Sequence, residues 1–384
     1  MKRRTFLGYG ATLSFAATQA LGAQDANPRR LLVLLLRGGM DGLCAVPPIG
    51  DPQLKVLRKG LIPERLLPAG DFFAIHPALP TFAQLLEKKE AMVVHAAGFG
   101  YTGRSHFEGQ DIMQSGVAKP FTSTSGWLGR AMQKAKVGSG VAISIPIPLI
   151  LRGDPLADTQ YPTWMPMPPL DTYSLVRDMW SGDADLADIG VQLTGQKSEM
   201  LAIAKSNPMQ MNAQLRAPKN LAYQAGLRMA RSDGPVVGLI DFVGFDTHAA
   251  QGADEGLHAS KLKLVDEVLA SFKDTMGARW KDTLVLTVTE FGRTAAQNGT
   301  SGTDHGWASC ILAAGGLVAA GGVVADWPGL SSEKLFEGRD LPATIDANAV
   351  YAQALKSVFN LTTSQVQESV LTYRPHRLVE NLFR

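Results

Sequence analysis

The chain has 384 residues, of which 45% are hydrophobic and 19% charged, and its formal net charge is +2. This is ordinary globular composition with ample length for a large core. It excludes a nucleic-acid binder, because there is no basic stripe. It also excludes a stable membrane span, because no apolar run in the body of the chain is long enough.

The N-terminus stands apart from the rest. Lys2-Arg3-Arg4 leads into Thr5-Phe6-Leu7, then a mild apolar stretch ends in small residues at Ala20-Leu21-Gly22-Ala23. Residues 1–23 therefore have the form of a twin-arginine (Tat) signal peptide. A membrane anchor is the alternative, but the stretch is short and rich in Gly, Ala, Ser and Thr. Cleavage removes three basic residues and no acids, so the +2 becomes −1 for a mature chain starting at Gln24. The expected location is periplasmic or secreted, with the Tat translocase as a transient partner.

Leu31–Leu36 is an unbroken apolar run, as expected of a strand covered on both faces. Leu79–Leu86 has helical character, Ala91–Ala97 reads as a second buried strand, and Ser105–Ser115 as a helix. Val141–Leu151 is a third strand region interrupted by Pro146 and Pro148, so an edge or two pieces. From residue 161 to about 233 a proline-rich loop and Met-, Gln- and Ala-rich stretches suggest a helical insertion. Val236–Phe242 restores the strand pattern. Leu257–Met276 carries a helical apolar stripe, and Thr283–Val288 and Cys310–Ala314 are further strands. The alternation predicts one α/β domain over 24–384, a mostly parallel sheet with helices on both faces.

Ligands of such sheets bind beyond the carboxyl ends of the strands. Asp41 follows the first strand. Arg104, Ser105 and His106 follow the second, Asp246 and His248 the Val236 strand, and Glu290 and Arg293 the Thr283 strand. Asp304 and His305 lie in the loop after that. Gly98-Phe99-Gly100-Tyr101-Thr102-Gly103 fits a dinucleotide fingerprint, but no acid lies between Asp111 and Asp154 to meet a ribose. In Asp246-Thr247-His248, alternate side chains of an extended segment face one way and can share a divalent metal. Ser105 to Glu108 has the S-x-x-E pattern of a capping box. Asp41 also fits a plain turn, and Arg104 and Arg293 fit either an anionic group or salt bridges to Asp41 and Glu290. His76 and His95 read as structural, and His258 carries no signal. Cys44 and Cys310 are expected close together as free thiols.

The segments RGGMDGL, IHPALP, GRSHFEGQD, GWLGR, FDTHAAQ, TEFGRT, GTDHG and WPGL occur in that order over nearly all of the mature chain. Together they resemble the secreted bacterial family DUF1501, of unknown function, grouped with the alkaline phosphatase-like superfamily. The resemblance implies an alkaline phosphatase-like fold with one or two divalent metals at the carboxyl edge. It also implies phosphate- or sulfate-ester chemistry through a Ser, Thr or modified Cys nucleophile. On that pattern Asp41 matches the acid after the first strand, Asp246 and His248 the pair after a middle strand, and His305 a later histidine. Where such proteins carry Asp-His after the next strand, this chain has Glu290-Phe291, and Phe291 cannot bind metal. The sulfatase signature is absent, and Ser105, with His106 beside it, is the nearest nucleophile by position.

The expected site is thus a zinc, manganese, magnesium or calcium ion held among Asp41, Asp246, His248, Glu290, Asp304 and His305. Arg104 and Arg293 would hold a small anionic ester. Two functions follow: a metal-dependent hydrolase of a phosphate or sulfate ester, or a degenerate, non-catalytic periplasmic protein that binds a ligand or partner.

Export by the Tat route is directly testable. Replacing Arg3 and Arg4 by Lys should leave precursor in the cytoplasm in cell fractionation, and a normal periplasmic yield of mature protein would exclude the route.

Overall fold

The central strand β1 (Arg30–Leu36) shows why its sequence lacks alternation. Leu31, Val33 and Leu35 pack into the apolar cluster on one side of the sheet, and Leu32, Leu34 and Leu36 into the cluster on the other. All six are no more than 1% exposed. The computed structural model describes residues 28–143, 146–154, 156–159, 170–182 and 217–384. Residues 1–27, 161–169 and 183–216 lie outside them.

The remaining strands are β2 (Leu67–Pro68), β3 (Ala74–Ile75), β4 (Ala91–Gly98), β5 (Gly140–Ile143), β6 (Ala157–Thr159), β7 (Val237–Phe242), β8 (Thr283–Val288), β9 (Ser309–Ala314), β10 (Gly322–Ala325) and β11 (Ile345–Asp346). β2 and β3 form a small antiparallel pair. The other nine make one sheet in the order β10-β4-β9-β8-β1-β7-β5-β6, with β11 also on β4. β1 is parallel to β7 and β8, β5 to β6 and β7, and β10 and β11 to β4. β9 runs against both of its neighbours, β4 and β8. The fold is therefore α/β with a mixed, mostly parallel sheet. β5 is flanked on both sides and is not an edge. The prolines after it precede a 3-10 turn at Leu149–Leu151, with Pro148 at its N-cap.

Helices cover both faces. Trp127–Ala135 and Ala347–Phe359 pack on one, where the Trp127 and Tyr351 rings stack with centroids 5.3 Å apart. Pro80–Glu87, Pro218–Met229 and Leu257–Met276 pack on the other. Pro218–Met229 places Leu221, Ala222, Ala225 and Met229 in that core. This end of the stretch read as an insertion thus belongs to the covering layer of the sheet. The helix Leu170–Trp180 is the other described part of it.

The reversal of β9 governs the site. A parallel strand after β8 would need a crossover, usually helical. Residues 289–308 instead fold back as an extension of a hairpin. Gly292 N donates to Trp307 O (2.8 Å), Gly306 N to Gly292 O (2.9 Å) and Thr294 N to Asp304 O (3.0 Å). Arg293 and His305 bridge as an antiparallel pair. Because β9 enters the sheet from the edge where β8 leaves it, the residues before β9 lie at the carboxyl ends of β1, β4, β7 and β8.

The hairpin legs approach so closely that a Cβ on Gly292 would stand 1.8 Å from Ala308 O. Gly292→Ala should lower stability by about 1–3 kcal/mol or more in thermal unfolding, since backbone must move to admit the methyl. Gly299, with nothing within 4 Å of an added Cβ, is the control, and Gly299→Ala should melt like wild type.

Candidate metal centre

Four chain segments meet at the carboxyl edge. β1 exits through Gly38, whose φ of +113° and missing Cβ let its backbone pass under Asp246, where a Cβ would lie 2.5 Å from Asp246 N. β4 leads to the helix His106–Ser115, with His106 at its first turn. β7 leads to Asp246-Thr247-His248, and the hairpin supplies Glu290, Arg293 and His305. Thr247 is buried while Asp246 and His248 face out, the alternation expected of an extended segment.

Asp246 Oδ1 is the focus. It accepts from Arg293 Nη1 at 2.7 Å and lies 3.1 Å from His305 Nε2, 3.0 Å from His248 Nδ1 and 3.4 Å from His106 Nε2. The ligand atoms of His106, Asp246 and His305 all lie within 4.8 Å of one another, the one such three-residue group among the described residues. The cluster is open on one side. The Asp246 and His248 side chains are 38% and 46% exposed, against 22% and 23% for His106 and His305.

Hydrogen bonds behind the rings select their tautomers. His106 Nδ1 donates to Glu290 Oε1 at 2.8 Å, and His305 Nδ1 donates to Arg104 O at 2.8 Å. Each ring in its neutral form then turns an Nε2 lone pair toward Asp246. Arg104 holds a left-handed φ of +57°, a strained conformation that comes with this placement of its carbonyl. His106 Nε2 is buried and has no hydrogen-bond partner among the described residues. That orphaned nitrogen, beside a carboxylate and a second imidazole, is what a divalent cation would satisfy. Imidazole-rich donors with one carboxylate suit zinc or a similar first-row ion better than magnesium or calcium, which favour all-oxygen shells.

The protonation states agree with this arrangement. Burial disfavours charge on His305 and lowers its pKa, only partly opposed by the bond to Arg104 O. Burial works against Asp246 and Glu290 as anions, but Arg293 outweighs it at Asp246. His106, Gln110 Nε2 (3.0 Å) and Gly38 N (2.8 Å) outweigh it at Glu290, so both carboxyls sit below their ordinary range. Burial lowers the His106 pKa too, but Glu290 and then Asp246 outweigh it and the net shift is upward. A protonated His106 ring lies between the two carboxylates, Nδ1 toward Glu290 and Nε2 toward Asp246, and a metal would have to displace the Nε2 proton, so metal affinity should fall as pH falls.

Several predicted residues stand elsewhere. Asp41 is fully buried and not in the cluster. It accepts from Arg58 Nη1 (2.5 Å) and Gln251 Nε2 (2.6 Å) and caps the short helix Gly42–Ala45. Glu290 orients His106 from behind. Asp304 accepts from Asn298 Nδ2 at 3.1 Å and is not one of the three grouped residues. Arg104 is paired with Asp340 (2.7 Å) and Glu337 (2.6 Å), and the Arg293 side chain has no exposed surface, so neither presents a free guanidinium to an anion. Ser105 stands at the N-cap position without a side-chain cap bond, and Glu108 instead accepts from Tyr101 Oη at 2.6 Å. His76 and His95 bond to backbone, as their sequence context suggests. His258, unremarked in the sequence, is buried with neither ring nitrogen partnered among the described residues, and burial takes its pKa to about 4. Cys44 and Cys310 are buried free thiols, with the Gly42–Ala45 helix packed against the start of β9. Phe291 lies against both ligand rings, its centroid 4.8 Å from that of His106 and 5.2 Å from that of His305. Sequence reasoning missed Arg58, Gln110 and Gln251. A lone arginine in VLRKG and two amides carry no pattern that distinguishes them from surface residues.

Residues 185–371 match the model of a family described as a protein of unknown function (DUF1501). That stretch includes Asp246, His248, Glu290, Arg293 and His305, and not His106. No curated protein matches the chain. Among solved structures, it is similar to murine ectonucleotide pyrophosphatase/phosphodiesterase 5, at 10% identity and a TM-score of 0.44, over 93% of this chain and 100% of that one. It is also similar to the PsFucS1 sulfatase from Pseudoalteromonas sp., at 13% identity and a TM-score of 0.41, over 97% and 75% of the two chains. A protein in the alkaline phosphatase superfamily from Vibrio parahaemolyticus matches at 12% identity and a TM-score of 0.36, over 82% and 69%.

The Asp41–Arg58 pair makes a stability prediction. Burial raises the Asp41 pKa, but Arg58 and Gln251 overcome this and hold it well below the ordinary carboxylate range. A depressed folded-state pKa adds stability that is complete above the unfolded value of about 4 and is lost as pH falls below it. Asp41→Asn should cost about 3–5 kcal/mol at pH 7 by leaving Arg58 buried and unpaired. Its melting temperature should also fall less than that of wild type between pH 5 and pH 3. Parallel acid profiles would show that the pair does not set acid stability.

Proposed function

We propose that this chain is an exported member of the matched family and a metal-dependent hydrolase of a phosphate or sulfate ester. The observation that carries the reading is the convergence of His106, Asp246 and His305 on one point, with His248 against the same carboxylate oxygen. Their Nδ1 bonds leave both Nε2 lone pairs of His106 and His305 facing that point. A divalent ion bound there would polarise an ester oxygen and lower the pKa of a bound water or hydroxyl.

The chain's own residues do the rest. Glu290 and the Arg104 carbonyl orient the two imidazoles. Arg293 keeps Asp246 ionised and, by neutralising it, leaves a bound cation with surplus positive charge. That surplus, not an arginine clamp, would draw an anionic ester, because both arginines are committed to carboxylates. The same commitment supports the second reading, a binding protein without turnover.

Elemental analysis of protein purified without chelator should find about one zinc or similar divalent ion per chain. Asp246→Ala and His305→Ala should lose it while keeping the circular dichroism of wild type. A wild type that neither carries metal nor takes up zinc or manganese would overturn the reading. Hydrolysis of p-nitrophenyl phosphate, bis-p-nitrophenyl phosphate and p-nitrophenyl sulfate separates the two functions, since metal retained without turnover assigns the binding protein. Ser105→Ala then decides the nucleophile: activity lost with metal retained assigns the serine hydroxyl, activity kept assigns water.

A further inference from the structure

Gln251 has no exposed surface, and its side-chain amide is used completely. Nε2 donates to Asp41 Oδ2 at 2.6 Å and to Cys44 Sγ at 3.3 Å. Oε1 accepts from Thr247 Oγ1 at 2.8 Å and from Thr303 Oγ1 at 2.7 Å. The orientation has no alternative. Asp41 is held as an anion by Arg58, so only the amide NH2 can face it, and the oxygen must face the threonines.

Each threonine then spends its single proton on Gln251. Thr303 Oγ1 is left with lone pairs, and it accepts from Arg293 Nε at 3.1 Å. Arginine has no acceptor, so the direction of this bond is also fixed. Arg293 Nη1 passes it on to Asp246 Oδ1 at 2.7 Å. The second threonine, Thr247, lies between Asp246 and His248. Pinning it inward turns both of its neighbours outward to the cluster. One buried amide therefore constrains the arginine that holds Asp246 and also the segment that carries Asp246 and His248.

We propose that Gln251 is the positioning residue of the metal centre. It transmits the orientation of the buried Asp41–Arg58 pair to Asp246 and His248 through Thr303–Arg293 and through Thr247. The proposal rests on the metal reading above and extends it to residues that touch neither metal nor substrate. Partners of this kind, acting through a ligand, typically change metal affinity by about 10–100-fold.

The test uses Gln251→Met, Thr247→Val and Thr303→Val in the full chain, with zinc and cobalt(II) as probes. Zinc Kd is measured by competition with a chromophoric chelator, the cobalt absorption spectrum reports ligand geometry, and the metal-free melting temperature reports the fold. Thr303→Val should weaken zinc binding about 10–100-fold and shift the cobalt bands, with Thr247→Val acting in the same direction. Gln251→Met should do at least as much, and if it does not fold the two threonine variants carry the test. Ser309→Ala is the control, because it removes a buried hydroxyl bond to Met40 O (2.6 Å) outside the relay. It should lower the melting temperature without moving zinc Kd or the cobalt spectrum. Zinc affinity and cobalt bands unchanged in both threonine variants would overturn the positioning role while leaving the metal centre standing. An equal loss of affinity in Ser309→Ala would overturn it too. A wild type that binds neither metal removes the reading beneath it.

Discussion

A guanidinium with no exposed surface donates to a carboxylate that is 38% exposed, and the site is arranged around that contact. Stranding the charge of Arg293 inside the protein would cost several kcal/mol. Its donors are spent on Asp246, on Thr303 and on the carbonyl of Gly38. The cost acts on Asp246 as a constraint, since a carboxylate that turned toward water would leave the arginine unpaired. The hairpin after β8 supplies Arg293 and sets it opposite His305 on adjacent legs, while the segment after β7 supplies Asp246. The reversed direction of β9 is therefore a property of the site as well as of the sheet.

Much of the scaffold was legible in the sequence because burial on both faces writes itself as an apolar run. Thr283–Val288 and Leu257–Met276 have the bounds in the structure that their apolar patterns predict. The direction of β9 was not legible. SCILAA reads alike in either sense, and only the bonds inside 289–308 show the chain turning back. The helical reading of 161–233 holds at its C-terminal end, where Pro218–Met229 is a helix. Composition marks a helix but not what it covers, and Pro218–Met229 covers the sheet.

The site shows a different limit. Acids and histidines beyond strand ends were visible, but a carboxylate does not announce its partner. Asp41 and Glu290 look alike in the sequence, yet one meets Arg58 and the other His106. The S-x-x-E pattern drew Ser105 toward a cap that is not made, while His106, one residue on, turned out to complete the cluster. Gln251 and Gln110 gave no signal at all, because an amide is informative only once its four neighbours are known.

The separations along the chain have a consequence for how the protein is made. His106 meets Glu290 across 184 positions, His305 meets Arg104 across 201, and Gln251 meets Asp41 across 210. Contacts of such long range form only after most of the chain has been ordered. A nascent chain would therefore offer a cation little more than the Asp246–His248 fragment of the cluster. An ion bound there would be chosen by the finished sheet and would stabilise it by mass action. A cation bound at this cluster would be a clasp fastened last, not a template around which the chain assembles.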